Sequence, residues 1–340
     1  MQLLRLLLFP FSLIYGTAVW LRNVLFDKNI LPSRKSPIPT IVIGNLSVGG
    51  TGKTPMALWV AQKLGTGVAL LSRGYGRKSK GYLEVLPKSS FEECGDEPVL
   101  LSNRLPDHRV FVCEDRVLGT HNISLDAPET GRILLDDAFQ HRRLAPDLSI
   151  LLTTWDHPYS SDWILPTGNL RDNRMSARRA NAVVVTKCPS HLPNGAPEQW
   201  RRKLNLHSSQ VLAFTCLDYQ DAQLALDSGK PLSKKVVLVS GIANPKLFEA
   251  YCSKHFEVLN HFKFPDHHAF KVSEIEQMLT SIGNFGDCNT LVTTEKDYVR
   301  LKEHFSRLMD INIVYIPIDI RFLWGEEELL DLITRENTTT

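Results

Sequence analysis

At 340 residues, with 43% apolar and 22% charged side chains, the chain is long enough for two hydrophobic cores and is neither disordered nor collagen-like in composition. A formal net charge of +2 excludes an electrostatically driven nucleic-acid binder, which is far more basic. The six cysteines (94, 113, 188, 216, 252 and 288) are scattered without a Cys-x-x-Cys pair, a pattern of reduced cytosolic thiols with no hint of zinc.

The chain opens with an uncharged run, Leu6 to Leu21 (LLLFPFSLIYGTAVWL), flanked by Arg5 and Arg22. As a helix this run reaches about 24 Å, short of a ~30 Å hydrocarbon core, and Pro10 interrupts it. It is apolar nearly all round, without an amphipathic moment. Three readings compete: a secretory signal peptide cut near Gly16-Thr17-Ala18, a buried core helix, and a membrane-lying anchor with Tyr15 and Trp20 at headgroup level. The ATP site that follows in the chain has no use outside the cytoplasm and demotes the signal peptide. The anchor is the expectation.

After a polar connector from Asp27 to Pro39 a βαβ rhythm begins, with strand Thr40–Ile43, helix Met56–Leu64 and strand Val68–Leu71. Apolar runs at Ile133–Leu135, Leu148–Leu152, Ala182–Val185 and Val211–Phe214 read as further buried strands. A second series follows a turn signal at Asp227-Ser228-Gly229, with Val236–Val239, Phe256–Leu259, Leu291–Thr293 and Ile313–Ile316. Strands alternating with helices predict an α/β fold with a mostly parallel sheet flanked by helices. The expected division is a hydrophobic helix over 1–26, a P-loop domain over 27–225 and a smaller α/β domain over 226–340.

The strongest local signal is Ser47-Val48-Gly49-Gly50-Thr51-Gly52-Lys53-Thr54 between a strand and a helix, a P-loop arrangement. Glycines let backbone N–H groups converge on phosphate oxygens, and the helix that follows adds its positive end. Lys53 then bridges the β- and γ-phosphates of ATP, and the Thr54 hydroxyl holds Mg²⁺. Pro55 suits the first helical turn. Ser47 stands where the consensus has glycine.

Downstream, Arg132 to Asp137 is an apolar strand ending in paired carboxylates. With a P-loop upstream, Asp136 and Asp137 read as the acidic group of the Mg²⁺ shell rather than as a helix cap.

Six blocks then resemble, in order, the tetraacyldisaccharide 4′-kinase family of the lipid A pathway. They are Gly44 to Pro55, Ser72 to Arg77, Gly95 to Pro98, Asp136 to His141, Leu165 to Arg171 and Phe264 to His268. The likeness runs over roughly 39–322, the hydrophobic N-terminus matches the family's membrane-associated helix, and Ser47 is itself usual there. Ala138 and Asn169 depart from the expected Gly and Pro. The resemblance implies that ATP phosphorylates the 4′-hydroxyl of an acylated glucosamine disaccharide 1-phosphate, giving the 1,4′-bisphosphate, at the cytoplasmic face of the bacterial inner membrane. It implies Asp96 as base with His267 as its partner, and Arg171 alongside Lys53 in catalysis. Gln140 and His141 fall at the nucleotide; Asn45, Arg77, Glu97 and Arg116 fall at the substrate.

Chemistry agrees with these roles: a loose phosphoryl-transfer transition state needs positioning and neutralisation, and arginine forks suit phosphate. Lys78, Lys80, Arg178 and Arg179 read as a solvated face. Two adjacent histidines, His267 and His268, do not share one ion from a regular element, which weakens a metal site there. Thr186-Lys187 resembles a truncated guanine-reading element without its aspartate, so GTP is not supported. Thr293 to Asp297 looks family-like with no role beyond interdomain contact or capping. The alternatives are a P-loop hydrolase that moves a cargo and a non-enzymatic nucleotide sensor.

Overall fold

The computed structural model describes residues 5–335. Helix α1 (Phe9–Asp27) holds Pro10 in its first turn rather than being broken by it, because that turn has no use for the missing N–H. Its polar residues Ser12 and Asn23 are buried against the body, while Ile14 (70%), Phe11 (60%) and Leu13 (56%) are exposed. The helix is thus amphipathic in reverse, an arrangement the sequence run did not disclose. No helix of the described residues is long and apolar enough to cross a membrane.

Then come β1 (Thr40–Asn45), α2 (Lys53–Leu64), β2 (Val68–Ser72), β3 (Leu83–Val85), α3 (Asp96–Arg104), β4 (Val110–Val112), α4 (Arg116–Asp126), β5 (Arg132–Asp136), β6 (Leu148–Thr154), β7 (Ala182–Thr186), α5 (Ala196–Leu204) and β8 (Val211–Tyr219). The remainder is β9 (Gln223–Leu226), β10 (Lys235–Ser240), α6 (Lys246–His255), β11 (Glu257–Lys263), α7 (Val272–Gly283), β12 (Thr290–Thr294), α8 (Glu295–Leu301), β13 (Asn312–Ile316), β14 (Ile318–Trp324) and α9 (Glu326–Thr334).

A 9-stranded sheet runs β14-β8-β7-β6-β1-β5-β2-β4-β3 and a 5-stranded sheet runs β9-β13-β12-β10-β11. Only the outer pairs β14–β8, β3–β4 and β9–β13 are antiparallel among these. The interior strands are apolar on both faces because helices cover both. In β1, Ile41 and Ile43 enter one core and Val42 the other. In β10, Val237 and Val239 oppose Val236 and Leu238 in the same way. Truncating fully buried Ile43 to alanine would cost ~2–5 kcal/mol.

One feature departs from a single division near residue 226. Strand β14 pairs antiparallel with β8 of the large sheet, and α9 packs on the same core as α2 through Leu329 and Ile333. The chain returns because the apolar edge of β8 needs a cover, which Ile320, Phe322 and Leu323 supply. The carboxyl ends of β1, β5 and β7 and those of β10, β11 and β12 turn toward one cleft, where ligands bind in open parallel sheets.

Candidate active site

The cleft holds about 1130 Å³ and draws its walls from both sheets and from α1, which contributes Tyr15, Val19 and Arg22. One wall is the loop between β1 and α2. Gly49 and Gly52 adopt φ of 104° and 85°, left-handed conformations that glycine takes without a Cβ penalty and that Ala would resist. Gly52 is the residue before the first turn of α2, so the free N–H groups of that helix face the cleft. The loop is braced from behind: Val48 N–H donates to the Asn169 carbonyl (2.8 Å) and Arg171 N–H to the Leu46 carbonyl (2.8 Å). The Leu165–Arg171 block therefore sets the loop's entry angle. Thr186 Oγ1 donates to the Thr51 carbonyl at 2.8 Å.

Beside the loop, Asp137 sits in a left-handed turn (φ 48°), with Lys53 Nζ 3.8 Å away. Arg171 grips the same carboxylate with both terminal nitrogens and also donates to Asn45 Oδ1. Burial raises the Asp137 carboxyl, but Lys53 and Arg171 outweigh it and leave it below its ordinary value. Asp136, at the end of β5, is only 2% exposed, and neither of its carboxylate oxygens has a partner among the described residues. Burial above all, with Glu97 nearby, raises its pKa to about 7. An orphaned buried carboxylate beside a phosphate loop fits a divalent cation, and Thr54 lines the same cleft. Magnesium keeps most of its water and needs only one or two protein ligands. That agrees with there being no group of three or more His, Cys, Asp or Glu poised for a metal among the described residues.

The opposite wall carries the second set. Asp96 opens α3 after Gly95, and His267 follows β11 with φ 59°. The two meet across the sheets: His267 Nδ1 lies 3.0 Å and 3.1 Å from the two Asp96 oxygens. Lys296 Nζ is 3.0 Å from His267 Nε2. An ammonium only donates, so Nε2 accepts and the ring proton sits on Nδ1, facing Asp96. Burial raises the Asp96 pKa, but the hydrogen bond from His267 and the charges of Lys296 and Arg300 bring it down to about 2. Lys296 also reaches Glu97 at 3.2 Å and Asp266 at 3.3 Å. His267 and Glu97 line the cleft, while Asp96 stands behind them.

The remaining expected residues divide. Ser47 through Thr54, Gln140, His141, Glu97, Arg116 and Arg171 all line the cleft. Gln140 Nε2 donates to the Asn45 carbonyl at 2.7 Å. Burial and the adjacent Arg116 push the His141 imidazole down to about 4, so it stays neutral. Arg77 turns away: its side chain, 2% exposed, is spent on Glu114 at 2.7 Å and on the Gly81 carbonyl. Arg77 therefore braces the Ser72–Arg77 turn and does not line the cleft. Asn45 is fully buried and orients Arg171 from beneath. Arg179 is half-buried, stacked over Phe139 at 4.4 Å and paired with Asp172 at 3.1 Å, not solvated. His268 pairs with Glu274 of α7 at 2.8 Å, apart from His267.

Three further cations stand in the site without a motif of their own. Lys187 Nζ donates to the Gly50 carbonyl at 2.6 Å, beside the glycine loop. Lys296 and Arg300 face Asp96 and His267 from α8. The only signals were the Thr186-Lys187 pair after a strand and the Thr293–Asp297 block.

Comparison with known proteins gives a consistent result. The family model for tetraacyldisaccharide-1-P 4′-kinase matches residues 4–337. The tetraacyldisaccharide 4′-kinase of Flavobacterium johnsoniae is 43% identical over 95% of this chain and 94% of its own. That of Cytophaga hutchinsonii is 36% identical over 98% and 96%. Among solved structures, an "apo" form of LpxK from Aquifex aeolicus in complex with ATP superposes with a TM-score of 0.74 at 31% identity, over 97% of this chain and 98% of that one.

Proposed function

The chain belongs to the tetraacyldisaccharide-1-P 4′-kinase family, and from that membership we propose how its cleft moves the γ-phosphoryl group of ATP onto the 4′-hydroxyl of a tetraacylated glucosamine disaccharide 1-phosphate. The observation that carries the reading is the facing of two walls across one cleft. Lys53 and Asp136 stand on one side, and His267, backed by Asp96, on the other.

The glycine-loop amides and Lys53 hold the phosphate tail, and Lys53 exchanges its 3.8 Å contact with Asp137 for phosphate oxygens. Thr54, Asp136 and Asp137 would hold Mg²⁺, which neutralises phosphate charge when bound. Asp96 acts as base, with His267 orienting it. The hydroxyl proton passes to this pair as the new O–P bond forms, and the bond to the ADP oxygen breaks. Because the transition state is loose, orientation matters more than basicity, and a carboxyl held near 2 is always ionised at working pH. Arg171 and Arg116 supply positive charge along the phosphoryl path. Gln140 and His141 flank the nucleotide, and Glu97 faces the sugar.

The 9-stranded sheet forms the nucleotide lobe and the 5-stranded sheet the lobe that brings His267, with the crossings near residue 226 and at β14 as their joints. The reversed helix α1 lies on the bilayer with its exposed leucines down, a monotopic attachment to the cytoplasmic face. Tyr15 donates to the Arg171 carbonyl at 3.1 Å and Arg22 to the Gln140 carbonyl at 2.8 Å, so the helix brings the lipid surface beside the catalytic groups.

The test is transfer of labelled phosphate from ATP with Mg²⁺ to the detergent-dispersed disaccharide lipid. Labelled lipid from the intact protein, absent in K53A, is the expected result. ADP without labelled lipid would favour a hydrolase.

A further inference from the structure

Helix α8 presents Lys296 and Arg300 one turn apart, on one face. Lys296 serves His267, as described. Arg300 is 1% exposed, and a guanidinium so deeply buried is costly unless fully compensated. Asp297, also fully buried, takes one end of it, and the Gly241 carbonyl accepts from Nη2 at 2.9 Å. Asp297 is itself fixed by the Gly241 N–H at 2.9 Å and by Thr294 Oγ1 at 2.6 Å. The other terminal nitrogen, Nη1, makes no hydrogen bond among the described residues. It lies 3.1 Å from Asp96 Oδ2, a charge contact that crosses from the small-sheet lobe to the large-sheet lobe.

We propose that Arg300, clamped by Asp297 and Gly241, is a positioning residue that holds the Asp96 carboxylate in place against His267 and ties the two lobes together at the base. This role rests on the reading of Asp96 as base. Asp297 and Gly241 engage only Nη2, and of the two remaining nitrogens it is Nη1 that is turned toward the carboxylate of the opposite lobe. Its charge also helps keep Asp96 ionised. The groups facing Asp96 are Arg300 and Lys296 from α8 and His267 from the segment after β11, with the Asp266 and Glu97 carboxylates on the far side of Lys296.

The experiment measures lipid phosphorylation by full-length R300M and R300K across pH. Removing a positive neighbour raises the carboxyl pKa, so the acid limb of kcat/KM moves to higher pH, by about one unit or more. Misplacement of the base lowers kcat of R300M by about 100-fold. KM for Mg-ATP stays within roughly threefold, because Arg300 does not touch the glycine loop, and R300K regains at least about tenfold. Folded R300M with near-normal kcat, an unmoved acid limb, or R300K no better than R300M would overturn the role.

If R300M does not fold, R300Q is compared in wild-type and D96N backgrounds by thermal unfolding. A smaller midpoint drop in D96N supports the contact, and equal drops overturn it. An active D96N enzyme would remove the base reading itself. An inactive D96N beside an unperturbed R300M would remove only the role of Arg300.

Discussion

Two buried aspartates of one cleft behave in opposite ways. Asp96 and Asp136 are 5% and 2% exposed, so each suffers desolvation, the largest single influence on both. Asp96 is ringed by His267, Lys296 and Arg300 and falls to about 2. Asp136 has no hydrogen-bond partner among the described residues, has Glu97 nearby, and rises to about 7. Burial alone does not decide the state of a carboxylate; the compensating charge does. On the small-sheet wall that charge is built into the chain. For Asp136, on the glycine-loop wall, Lys53 and Arg116 do not outweigh burial, and in the proposed mechanism the missing charge would arrive with Mg²⁺ and the nucleotide.

Breaking the built-in side has the largest effect. D96N should lower kcat for lipid phosphorylation by about 10³-fold while Mg-ATP still binds. A steady-state assay with the lipid in detergent checks this, and activity within tenfold of wild type would contradict it.

The side that waits for a cation is sharpened by D136N, which should lose about 10²-fold in activity and much of its response to added Mg²⁺. Its stability should move the other way. A carboxyl whose folded pKa is raised from 3.8 to about 7 contributes a destabilisation that grows as pH rises through that interval and levels off above it. Metal-free D136N should therefore be more stable than wild type at pH 8, on the order of 2 kcal/mol, and equal to it near pH 4. Denaturant unfolding in chelator at both pH values measures the difference.

A smaller change is expected from K187A. Its ammonium, which burial lowers while Asp266 and Asp156 raise it, sits at the Gly50 carbonyl. Losing one charge-assisted contact near the phosphates should raise KM for ATP by about tenfold with little change in kcat. The smallest catalytic effect belongs to the reversed helix: I14E should leave activity in detergent intact and release the protein from anionic vesicles in a sedimentation assay.

The same contrast separates what the sequence disclosed from what it hid. Continuous apolar runs such as Val236–Val239 announced buried strands, and the glycine loop announced phosphate chemistry, because both are local patterns. The meeting of Asp96 with His267, 171 positions apart, came from the family resemblance and was verified only by the folded chain. Lys296 and Arg300 stayed without a role because helical spacing shows a shared face but not what that face meets. Arg77 and Asn45 looked like ligand contacts beside their motifs, yet one is spent on Glu114 and the other lies beneath Arg171. The return of β14 to the large sheet is equally nonlocal: nothing in Ile318–Trp324 names its partner.

Calorimetric titration of Mg-ATP into wild type, D96N and D136N addresses the central division most directly. The account predicts wild-type affinity for D96N, within about threefold, and clear weakening for D136N alone. Equal weakening in both, or none in D136N, would contradict the assignment of one wall to the nucleotide and the other to the acceptor.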